Sequence, residues 1–400
     1  MTLPIEAVRK GTAINLLITA ISSATGPSGV CRHAYNLARC AVGREEITHI
    51  TLVLGRWQES YFRGKFKLTD ERVNIVAIDI SNDAYARNLW YLRGLPYLAN
   101  RVAADIVHLS FPVPIRHHSI GCPVVVSLHD LHPYEDPDNF GFPKVFFNRV
   151  FLNRCLKEVD SVACVSETTL ARVRIRFPRF YKKSLVVNNC VTVQRNELKM
   201  PLCSQRKFIL MVARHCANKN IQLALIVFAE LLKDGRLDEG TMLVLVGNNG
   251  PETAAIKSSI KNLTLDDSVK LIGGVDDGEL RWFYENCELL IAPSSMEGCG
   301  LSVTEGLACG SRVVCSDIPV FREIGGDACN YFDLHAESRA AAMGAAVHDA
   351  LTRPSPKPAT RFDRFSLESV AANYAALYLQ LERIAIRRDR ELREAGSATC

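Results

Sequence analysis

The densest group of residues that could do chemistry lies between positions 294 and 310, in the stretch Ser-Ser-Met-Glu-Gly-Cys-Gly-Leu-Ser-Val-Thr-Glu-Gly-Leu-Ala-Cys-Gly. Gly298 and Gly300 would let a backbone approach a phosphate closely, because glycine has no side chain to keep a ligand away. Ser302 is placed to cap a short helix, whose free N–H groups and dipole favour an anion. This spacing predicts a loop that cradles a phosphate.

Two carboxylates flank that loop. Glu297 stands on the loop and Glu305 stands on the helix that is predicted to follow it. Carboxylates accept hydrogen bonds from paired hydroxyls, such as those of a sugar and a ribose. The combination therefore predicts a sugar-nucleotide site, and a glycine-rich turn with solvated acids is the alternative.

Two cations, Arg214 and Lys219, follow an apolar run at residues 207–213 and precede a helical pattern. At the carboxyl end of a buried strand, two cations can clamp a diphosphate. They would also stabilise the negative charge that grows on a diphosphate leaving group. A pair of solvated loop charges is the alternative.

The first half of the chain carries two weaker candidates. The stretch Thr-Gly-Pro-Ser-Gly-Val at residues 25–30 contains Gly29 and opens a helix, without the spacing of a dinucleotide fingerprint or a P-loop. A plain turn between strand and helix is the alternative. His129 ends an apolar run, where a histidine is either a satisfied structural residue or a residue that points into a cleft.

Thirteen short apolar runs must position these residues. Most of the runs are continuous rather than alternating, which is typical of parallel strands covered on both faces. The predicted strands are 13–21, 47–55, 73–80, 105–110, 123–130, 161–166, 184–190, 207–213, 241–247, 269–274, 287–294, 311–317 and 330–334. Helical patterns between them predict an α/β fold of two doubly wound, Rossmann-like domains that face a cleft, with ligands at the carboxyl ends of the strands.

A first domain is predicted over residues 1–195 and a second domain over residues 207–352, with a polar linker at 194–207. Residues 353–400 are predicted to form a proline-rich crossover and a long helix capped by Ser366. The charged end of this helix, from residue 382, is expected to be solvated. Its apolar stripe consists of Val370, Tyr374, Leu377, Tyr378 and Leu381.

The composition excludes several classes of protein. With 48% apolar and 23% charged residues over 400 positions, the chain is neither disordered nor collagenous nor a coiled coil. Its longest apolar runs are shorter than a membrane span, and a signal peptide at residues 13–21 is the alternative to a buried first strand. Fourteen scattered cysteines predict reduced thiols in a cytoplasmic protein, without a structural metal site.

The motifs together resemble the GT-B glycosyltransferases of retaining family 4. Glu297 and Glu305 match the family's pattern of two glutamates with seven residues between them, and Arg214 and Lys219 match its spaced cations. Further family segments follow in the expected order: Val246-Gly247, Gly273-Gly274, Ala292-Pro293-Ser294, Ser316-Asp317 and residues 322–327. The resemblance covers nearly the whole chain. It implies that residues 1–195 form the acceptor-binding domain, that residues 207–352 form the nucleotide-sugar-binding domain and that the C-terminal helix packs back on the first domain.

The resemblance implies a role for each candidate residue. Glu297 would contact hydroxyls of the donor sugar, with His129 nearby, and Glu305 would hold the ribose. Arg214 and Lys219 would bind the diphosphate. The remaining donor-binding residues would be Gly298, Gly300, Leu301 and Ser302 on the same loop, and Gly29 under the phosphates from the other domain.

The resemblance also implies retaining transfer without a metal, with the two cations in place of Mg²⁺. The one Asp-x-Asp motif, Asp136-Pro-Asp138, falls in a loop of the first domain. No carboxylate is placed as a nucleophile, which disfavours a double displacement. Cys299 replaces a usual aromatic residue and Ser302 replaces a frequent proline, and both departures bear on how the donor fits.

We therefore predict a transferase that moves a hexose from a nucleotide-diphosphate sugar to a saccharide or polyprenyl-linked saccharide in polysaccharide biosynthesis. GDP-mannose is the first candidate donor, UDP-glucose and similar UDP-sugars remain open, and no other cofactor is expected. One alternative is a GT-B-type nucleotide-sugar 2-epimerase, which needs an acid and a base at the sugar's C2. A non-catalytic sugar-nucleotide binder is the other.

A basic stretch at residues 172–183 bears on location. It interleaves apolar residues with six cations: Arg172, Arg174, Arg176, Arg179, Lys182 and Lys183. Such a surface can lie on an anionic membrane, and a solvated basic helix end is the alternative. We expect a cytoplasmic protein with peripheral contact on the inner face of the membrane. The net charge of +5 does not call for a nucleic-acid partner.

Overall fold

The computed structural model describes residues 13–26, 28–66, 68–135, 144–191, 206–352 and 360–397. The chain divides into two compact units, Met1–Cys190 together with Arg364–Cys400, and Val191–Asp363. Most of the predicted linker at 194–207, the prolines of the predicted crossover and the Asp136-Pro-Asp138 motif lie outside the described residues.

The first unit is built on a seven-stranded parallel sheet with the strand order β3-β2-β1-β4-β5-β6-β7. Its strands are β1 (Ile14–Thr19), β2 (Ile47–Gly55), β3 (Val73–Ile78), β4 (Ile106–Leu109), β5 (Val124–Leu128), β6 (Ser161–Cys164) and β7 (Ser184–Val186). Its helices are α1 (Gly29–Val42), α2 (Glu59–Lys65), α3 (Ala84–Leu89), α4 (Leu95–Arg101), α5 (His132–Glu135), α6 (Lys144–Glu158) and α7 (Glu167–Arg176). The winding reverses between β1 and β4, which makes the sheet doubly wound.

The second unit is built on a six-stranded parallel sheet with the order β10-β9-β8-β11-β12-β13. Its strands are β8 (Phe208–Val212), β9 (Met242–Val246), β10 (Val269–Ile272), β11 (Leu289–Ala292), β12 (Val313–Ser316) and β13 (Cys329–Phe332). Its helices are α8 (Ile221–Lys233), α9 (Thr253–Asn262), α10 (Asp277–Asn286), α11 (Leu301–Ala308), α12 (Pro319–Gly325) and α13 (Arg339–Thr352). Here the winding reverses between β8 and β11.

All thirteen predicted strands are confirmed, and the α/β, doubly wound architecture with them. β5 and β9 are buried at every position, as expected for parallel strands covered on both faces. Several strands are shorter than predicted: β7 ends at Val186, where its partner β6 ends at Cys164. Val187 and Cys190 beyond it are still buried, because they pack in the hydrophobic core of the first unit.

The last helix, α14 (Leu367–Ser397), packs on the first unit as predicted. The Ser366 hydroxyl accepts a hydrogen bond from the Ser369 N–H at 3.2 Å, which confirms it as the cap. All five residues of the predicted stripe are buried. Farther along, Ile384 and Ile386 are exposed, as expected for a solvated end.

The twelve described cysteines are free thiols, and seven of them are buried. Most behave as small apolar residues of the core, and burial raises the pKa of Cys155 and Cys164 to about 12. These two thiols therefore stay protonated at neutral pH.

Two histidines lie in the core of the first unit, on α1 and β4. His108 is fully buried and His33 nearly so. Burial, together with the neighbouring His129, lowers the pKa of His108 to about 3. Burial also lowers the pKa of His33, with further contributions from His129 and His108. Both rings are therefore neutral in the folded protein at pH 7.

This burial predicts a loss of stability on acidification. Below about pH 6.5 an unfolded chain protonates its histidines, whereas folded His108 stays neutral down to about pH 3. The stability that the neutral His108 ring contributes is therefore fully present above about pH 6.5 and is lost as the pH falls. The stability advantage of wild type over His108→Gln should shrink by up to about 1.4 kcal/mol per pH unit below 6.5.

Denaturant unfolding of both proteins between pH 7.5 and 4.5 measures this difference. His118→Gln, at an exposed histidine of the same unit, is the control substitution. A difference for His108→Gln that is constant across the series would show that His108 titrates normally in the folded state.

Gly247 allows the loops after β8 and β9 to come together. A Cβ at this position would lie 1.9 Å from the carbonyl oxygen of Ala213. Backbone therefore packs on backbone directly before Arg214. Gly344, inside α13, is different, because an added Cβ would meet only Val227 at 3.8 Å.

These contacts predict opposite effects of two alanine substitutions in the second unit. Gly247→Ala should lower the free energy of unfolding by about 1–3 kcal/mol, because the loop backbone must move. Gly344→Ala should raise it by about 0.5–1 kcal/mol, because alanine favours a helix interior. Thermal and urea denaturation measure both changes, and a Gly247→Ala protein as stable as wild type would contradict the close approach.

Candidate functional site

In the second unit, the predicted site residues meet where the winding of the sheet reverses. β8 and β11 are neighbours in the sheet, paired at Ile209 with Leu289 and at Leu210 with Leu290. Arg214 and Lys219 follow β8, and Glu297 follows β11. The carboxyl ends of parallel strands at such a reversal are where open α/β sheets bind ligands.

Lys219 and Glu297 contact each other directly. The Lys219 Nζ donates to Glu297 Oε1 at 2.5 Å, although the two residues are 78 positions apart in the chain. Their side chains are 22% and 14% exposed, so an incoming anion or hydroxyl can still reach the pair. Arg214 is exposed at the end of β8 and, among the described residues, forms no ion pair within 4.0 Å.

Two asparagines that the sequence analysis missed tie these loops together. The Asn218 carbonyl accepts from the Ser295 N–H at 2.9 Å, and its side-chain amide donates to the Met296 carbonyl at 3.2 Å. The Asn220 amide donates to the Pro293 carbonyl at 2.8 Å. Asn220 has a φ of 50°, a left-handed conformation that asparagine tolerates better than most residues. An asparagine directly before a helical pattern was the available signal.

The helix after the glycine-rich loop begins two residues earlier than predicted. The prediction that Ser302 caps it is wrong: α11 begins at Leu301, and Gly300 is its N-cap. Gly300 has a φ of 55°, and an added Cβ would lie 2.9 Å from Ile324 and Phe321, so glycine is required here. A glycine offers no side-chain oxygen, so the N-cap residue itself occupies none of the free N–H groups of this helix with a side chain. The N-terminus can therefore accept an anion.

Glu305 lies on α11 and is held by a tyrosine of α10. The Tyr284 hydroxyl donates to Glu305 Oε2 at 2.8 Å. Burial, together with the nearby carboxylate, raises the pKa of Tyr284 well above its usual value, so the phenol remains a donor. This bond orients the carboxylate, and the sequence analysis missed Tyr284 because it looks like any other apolar helix residue.

In the first unit, Gly29 begins α1, after the N-cap Ser28, whose hydroxyl accepts from the Cys31 N–H at 3.3 Å. A Cβ at Gly29 would meet nothing within 4 Å. Packing in this unit therefore does not require glycine at position 29, and the space next to it can accept a ligand.

His129 follows β5 and is half-buried. Its Nε2 lies 2.9 Å from the Ser110 carbonyl oxygen, which can only accept, so the proton is on Nε2. Burial lowers the pKa of His129, so the ring is neutral and Nδ1 is a hydrogen-bond acceptor. Ser110 follows β4, next to the reversal of this sheet, so His129 lies at the carboxyl ends of the strands, where open α/β sheets commonly bind ligands.

The described residues contain no group of three or more histidine, cysteine, aspartate or glutamate side chains arranged to hold a metal ion. Among the predicted site residues, Lys219 and Glu297 are in direct contact. Gly298, Gly300, Leu301, Ser302 and Glu305 continue from Glu297 along one loop and helix. Gly29 and His129 belong to the other unit.

Both halves of the chain match glycosyltransferase families. Residues 27–195 match the family described as Glycosyltransferase Family 4, and residues 194–365 match Glycosyl transferases group 1. The O-antigen chain mannosyltransferase RfbU of Salmonella typhimurium is 24% identical over 314 residues, which cover 76% of this chain and 82% of that protein. The O-antigen chain mannosyltransferase B of Escherichia coli is 33% identical over 86 residues, 22% of this chain and 23% of that protein.

Solved structures share the fold at low identity. WaaG, a glycosyltransferase involved in lipopolysaccharide biosynthesis, has a TM-score of 0.64 at 16% identity over 92% of this chain and 98% of its own. HepE of Anabaena, in complex with UDP and glucose, has a TM-score of 0.61 at 14% identity over 92% and 100%. The adjoining family matches and the shared fold show that this chain belongs to the GT-B glycosyltransferases of family 4.

Proposed function

We propose that this chain is a retaining glycosyltransferase that moves a hexose, with mannose as the first candidate, from a nucleotide-diphosphate sugar to a saccharide or lipid-linked saccharide. The contact between Lys219 and Glu297 carries the proposal, because it joins a cation and a carboxylate on the loop that leads into α11. A sugar nucleotide offers matching partners: a diphosphate for the cation and the helix N-terminus, and hydroxyls for the carboxylate.

The donor diphosphate would replace Glu297 as the partner of Lys219. Phosphoryl oxygens carry more charge than a single carboxylate, and Arg214 and the uncapped start of α11 would add further donors. When Lys219 turns to the diphosphate, the Glu297 carboxylate becomes available to the sugar hydroxyls. One exchange of partners would thus prepare both halves of the donor site.

The ribose would bind at Glu305. Tyr284 already occupies Oε2 of this carboxylate and keeps the group in one orientation. A carboxylate held in this way can accept hydrogen bonds from two adjacent ribose hydroxyls at little entropic cost. His129 would accept a hydrogen bond at Nδ1 from a hydroxyl of the donor sugar, and the space beside Gly29 would admit the phosphates.

The proposed transfer breaks the bond between the anomeric carbon and a diphosphate oxygen, and it forms a bond from that carbon to the acceptor oxygen. The acceptor proton passes to the departing diphosphate on the same face, so the anomeric configuration is retained. Lys219 and Arg214 would stabilise the charge that grows on the diphosphate. We propose that these cations act in place of a divalent metal.

The donor and acceptor rest on the names of similar proteins. RfbU is a mannosyltransferase of the O-antigen chain, which favours GDP-mannose and a surface polysaccharide. The GDP-mannose:cellobiosyl-diphosphopolyprenol α-mannosyltransferase of Komagataeibacter xylinus, 28% identical over 43% of this chain, favours a polyprenyl-linked acceptor. HepE binds UDP and glucose, which keeps UDP-glucose as the second donor. We propose that the reaction takes place on the cytoplasmic side of a membrane.

Incubation of the purified protein with labelled GDP-mannose and UDP-sugars, in the presence of EDTA and lipid-linked saccharides, tests this function. We expect transfer from one donor with retained anomeric configuration, read by chromatography and NMR of the product. An inverted product, or a complete loss of transfer in EDTA that Mg²⁺ or Mn²⁺ restores, would contradict the proposal. Conversion of the donor to its 2-epimer would favour the epimerase, and binding without turnover would favour a sugar-nucleotide binder.

Substitutions of the two glutamates should have different kinetic effects. Glu305→Gln should mainly raise the donor KM, because ribose contacts are equal in the ground and transition states. Glu297→Gln should lower kcat by about tenfold or more, because the sugar changes position and charge as its bond breaks. Glu297→Gln should also bind the nucleoside diphosphate at least as tightly as wild type, because Lys219 loses its competing partner.

Steady-state kinetics and calorimetry with the nucleoside diphosphate measure both effects. Lys219→Ala serves as the positive control and should lose both affinity and turnover, whereas Lys261→Ala, an exposed lysine of α9, should lose neither. If Glu297→Gln loses diphosphate affinity while Glu305→Gln keeps it, the two roles are reversed.

Four of the six basic residues at 172–183 are directed towards solvent, and two are not. Arg172 pairs with Glu135 at 3.3 Å, and Lys183 turns inward to donate to the carbonyl oxygens of Lys157 and Val159. The prediction of a basic surface made of all six cations is therefore wrong for these two, because Arg172 pairs with a carboxylate and Lys183 with backbone carbonyls at the end of α6.

Two of the four remaining cations line a surface cavity of about 350 Å³. Its lining includes Arg176 and Arg179; Arg176 lies over the ring of Tyr134, and Arg179 donates to Asn153 at 2.7 Å. Asn153 lies on α6 and Arg176 on α7, and both helices also carry exposed apolar side chains. These are Phe146 and Phe147 on α6 and Ile175 on α7. We propose that this basic and apolar surface contacts an anionic membrane. Among the described helices, none has the length and hydropathy of a membrane span.

Flotation with vesicles that contain anionic phospholipid tests the contact. Each cation near such a surface contributes about 1 kcal/mol, so wild type should float at low salt and much less at high salt. The double variant Arg176→Ala/Arg179→Ala should bind at least about tenfold more weakly. The charge-matched variant Arg236→Ala/Lys261→Ala in the other unit should bind like wild type, and no flotation of wild type at low salt would leave a solvated helix end.

A further inference from the structure

A chain of buried side chains in the first unit runs from α14 to α1. The Tyr378 Oη lies 2.5 Å from His108 Nδ1. The Oγ of Ser127 lies 2.8 Å from His108 Nε2 and 2.8 Å from His33 Nε2. All four side chains are buried, so each bond is made away from water.

The chemistry of these groups sets the direction of the hydrogen bonds. Burial raises the pKa of Tyr378, so its phenol is protonated, and a buried hydroxyl needs an acceptor. His108 Nδ1 is its acceptor, so neutral His108 carries its proton on Nε2 and donates to Ser127. The Ser127 hydroxyl then donates to His33 Nε2, which puts the His33 proton on Nδ1.

The far end of this chain meets His129. The ring centroids of His33 and His129 are 4.5 Å apart, and the ring planes are perpendicular at 88°. On its other side His129 donates from Nε2 to the Ser110 carbonyl. The hydrogen bond sets the tautomer, and the perpendicular ring blocks rotation about the Cβ–Cγ bond, a torsion that is otherwise broad for histidine.

We propose that His33 is a positioning residue that fixes the orientation of the His129 ring. Hydrogen bonds through Ser127 and His108 to Tyr378 of α14 hold His33 in place. The proposal rests on the proposed role of His129, whose Nδ1 must face a hydroxyl of the donor sugar. The C-terminal helix would then help to support the His129 ring, because Tyr378 of that helix begins the hydrogen-bonded chain. Neither His33 nor Tyr378 is expected to touch the substrate.

A purely structural role for His33 would produce a different result. The side chain would then contribute to stability alone, and its loss would act on turnover independently of His129. Because residues that act through one group show non-additive effects, a double-mutant cycle between His33 and His129 separates the two cases.

Kinetics of His33→Ala, His129→Asn and the double variant form this cycle. His33→Ala should lower kcat by about tenfold and leave the donor KM within about twofold, because a small misplacement of a contacting group costs turnover. In the His129→Asn background, His33→Ala should change kcat by less than about twofold. Effects that multiply in the double variant would overturn the proposal.

Tyr378→Phe provides a milder variant in case His33→Ala does not fold. It removes only the hydroxyl that starts the chain and keeps the ring packing, so it should lower kcat by about two- to fivefold with an unchanged donor KM. His118→Ala, an exposed histidine of the same unit, is the matched control and should have wild-type turnover. A Tyr378→Phe protein with wild-type kcat would count against the anchor.

NMR of ¹⁵N-labelled histidines gives a readout that needs no activity. The His129 signals, identified by their loss in His129→Asn, should show one neutral tautomer with the proton on Nε2, and His33→Ala should shift or broaden them. Unchanged His129 signals in His33→Ala would overturn the positioning role. Full activity of His129→Asn would instead refute the proposed role of His129 in transfer. The NMR signals would then decide by themselves whether His33 fixes the orientation of the His129 ring.

Discussion

The parallel pairing of β8 with β11 is the constraint on which the rest of the second unit depends. These strands are not consecutive in the chain, yet their carboxyl ends lie side by side where the winding reverses. The loops that follow them must therefore meet, and Lys219 reaches Glu297 across 78 positions of sequence. Asn218 and Asn220 then fasten the two loops, so the ion pair is held by backbone as well as by charge.

Glycines set the shape of this edge through what they lack. Gly247 brings the end of β9 against Ala213, and Gly300 turns the chain in a left-handed conformation into α11. Because Gly300 supplies no capping oxygen, the start of α11 stays available to an anion. The same site that carries a paired cation and carboxylate thus also offers backbone donors, and the proposed donor contains groups that suit all three.

The first unit positions its candidate residue by burial rather than by ion pairing. His129 keeps one tautomer because a carbonyl oxygen accepts its proton, and it stays neutral because the surrounding core disfavours charge. The C-terminal helix, which is separated from this core by the whole second unit in sequence, contributes Tyr378 to the same buried cluster. Stability and site geometry in this unit therefore depend on the same side chains.

The sequence by itself determined the strands, the α/β class and the order of the motifs, because continuous apolar runs between helical patterns are local signals. It also predicted correctly that Arg214 follows a strand, that Glu297 stands on a loop and that Glu305 lies on a helix. Ser302 is the exception, since a left-handed glycine begins that helix sooner. Only the tertiary structure decided that Lys219 meets Glu297, that Lys183 turns inward and that His33 stands against His129. Those contacts depend on strand order and packing between distant segments, which no local pattern of residues encodes.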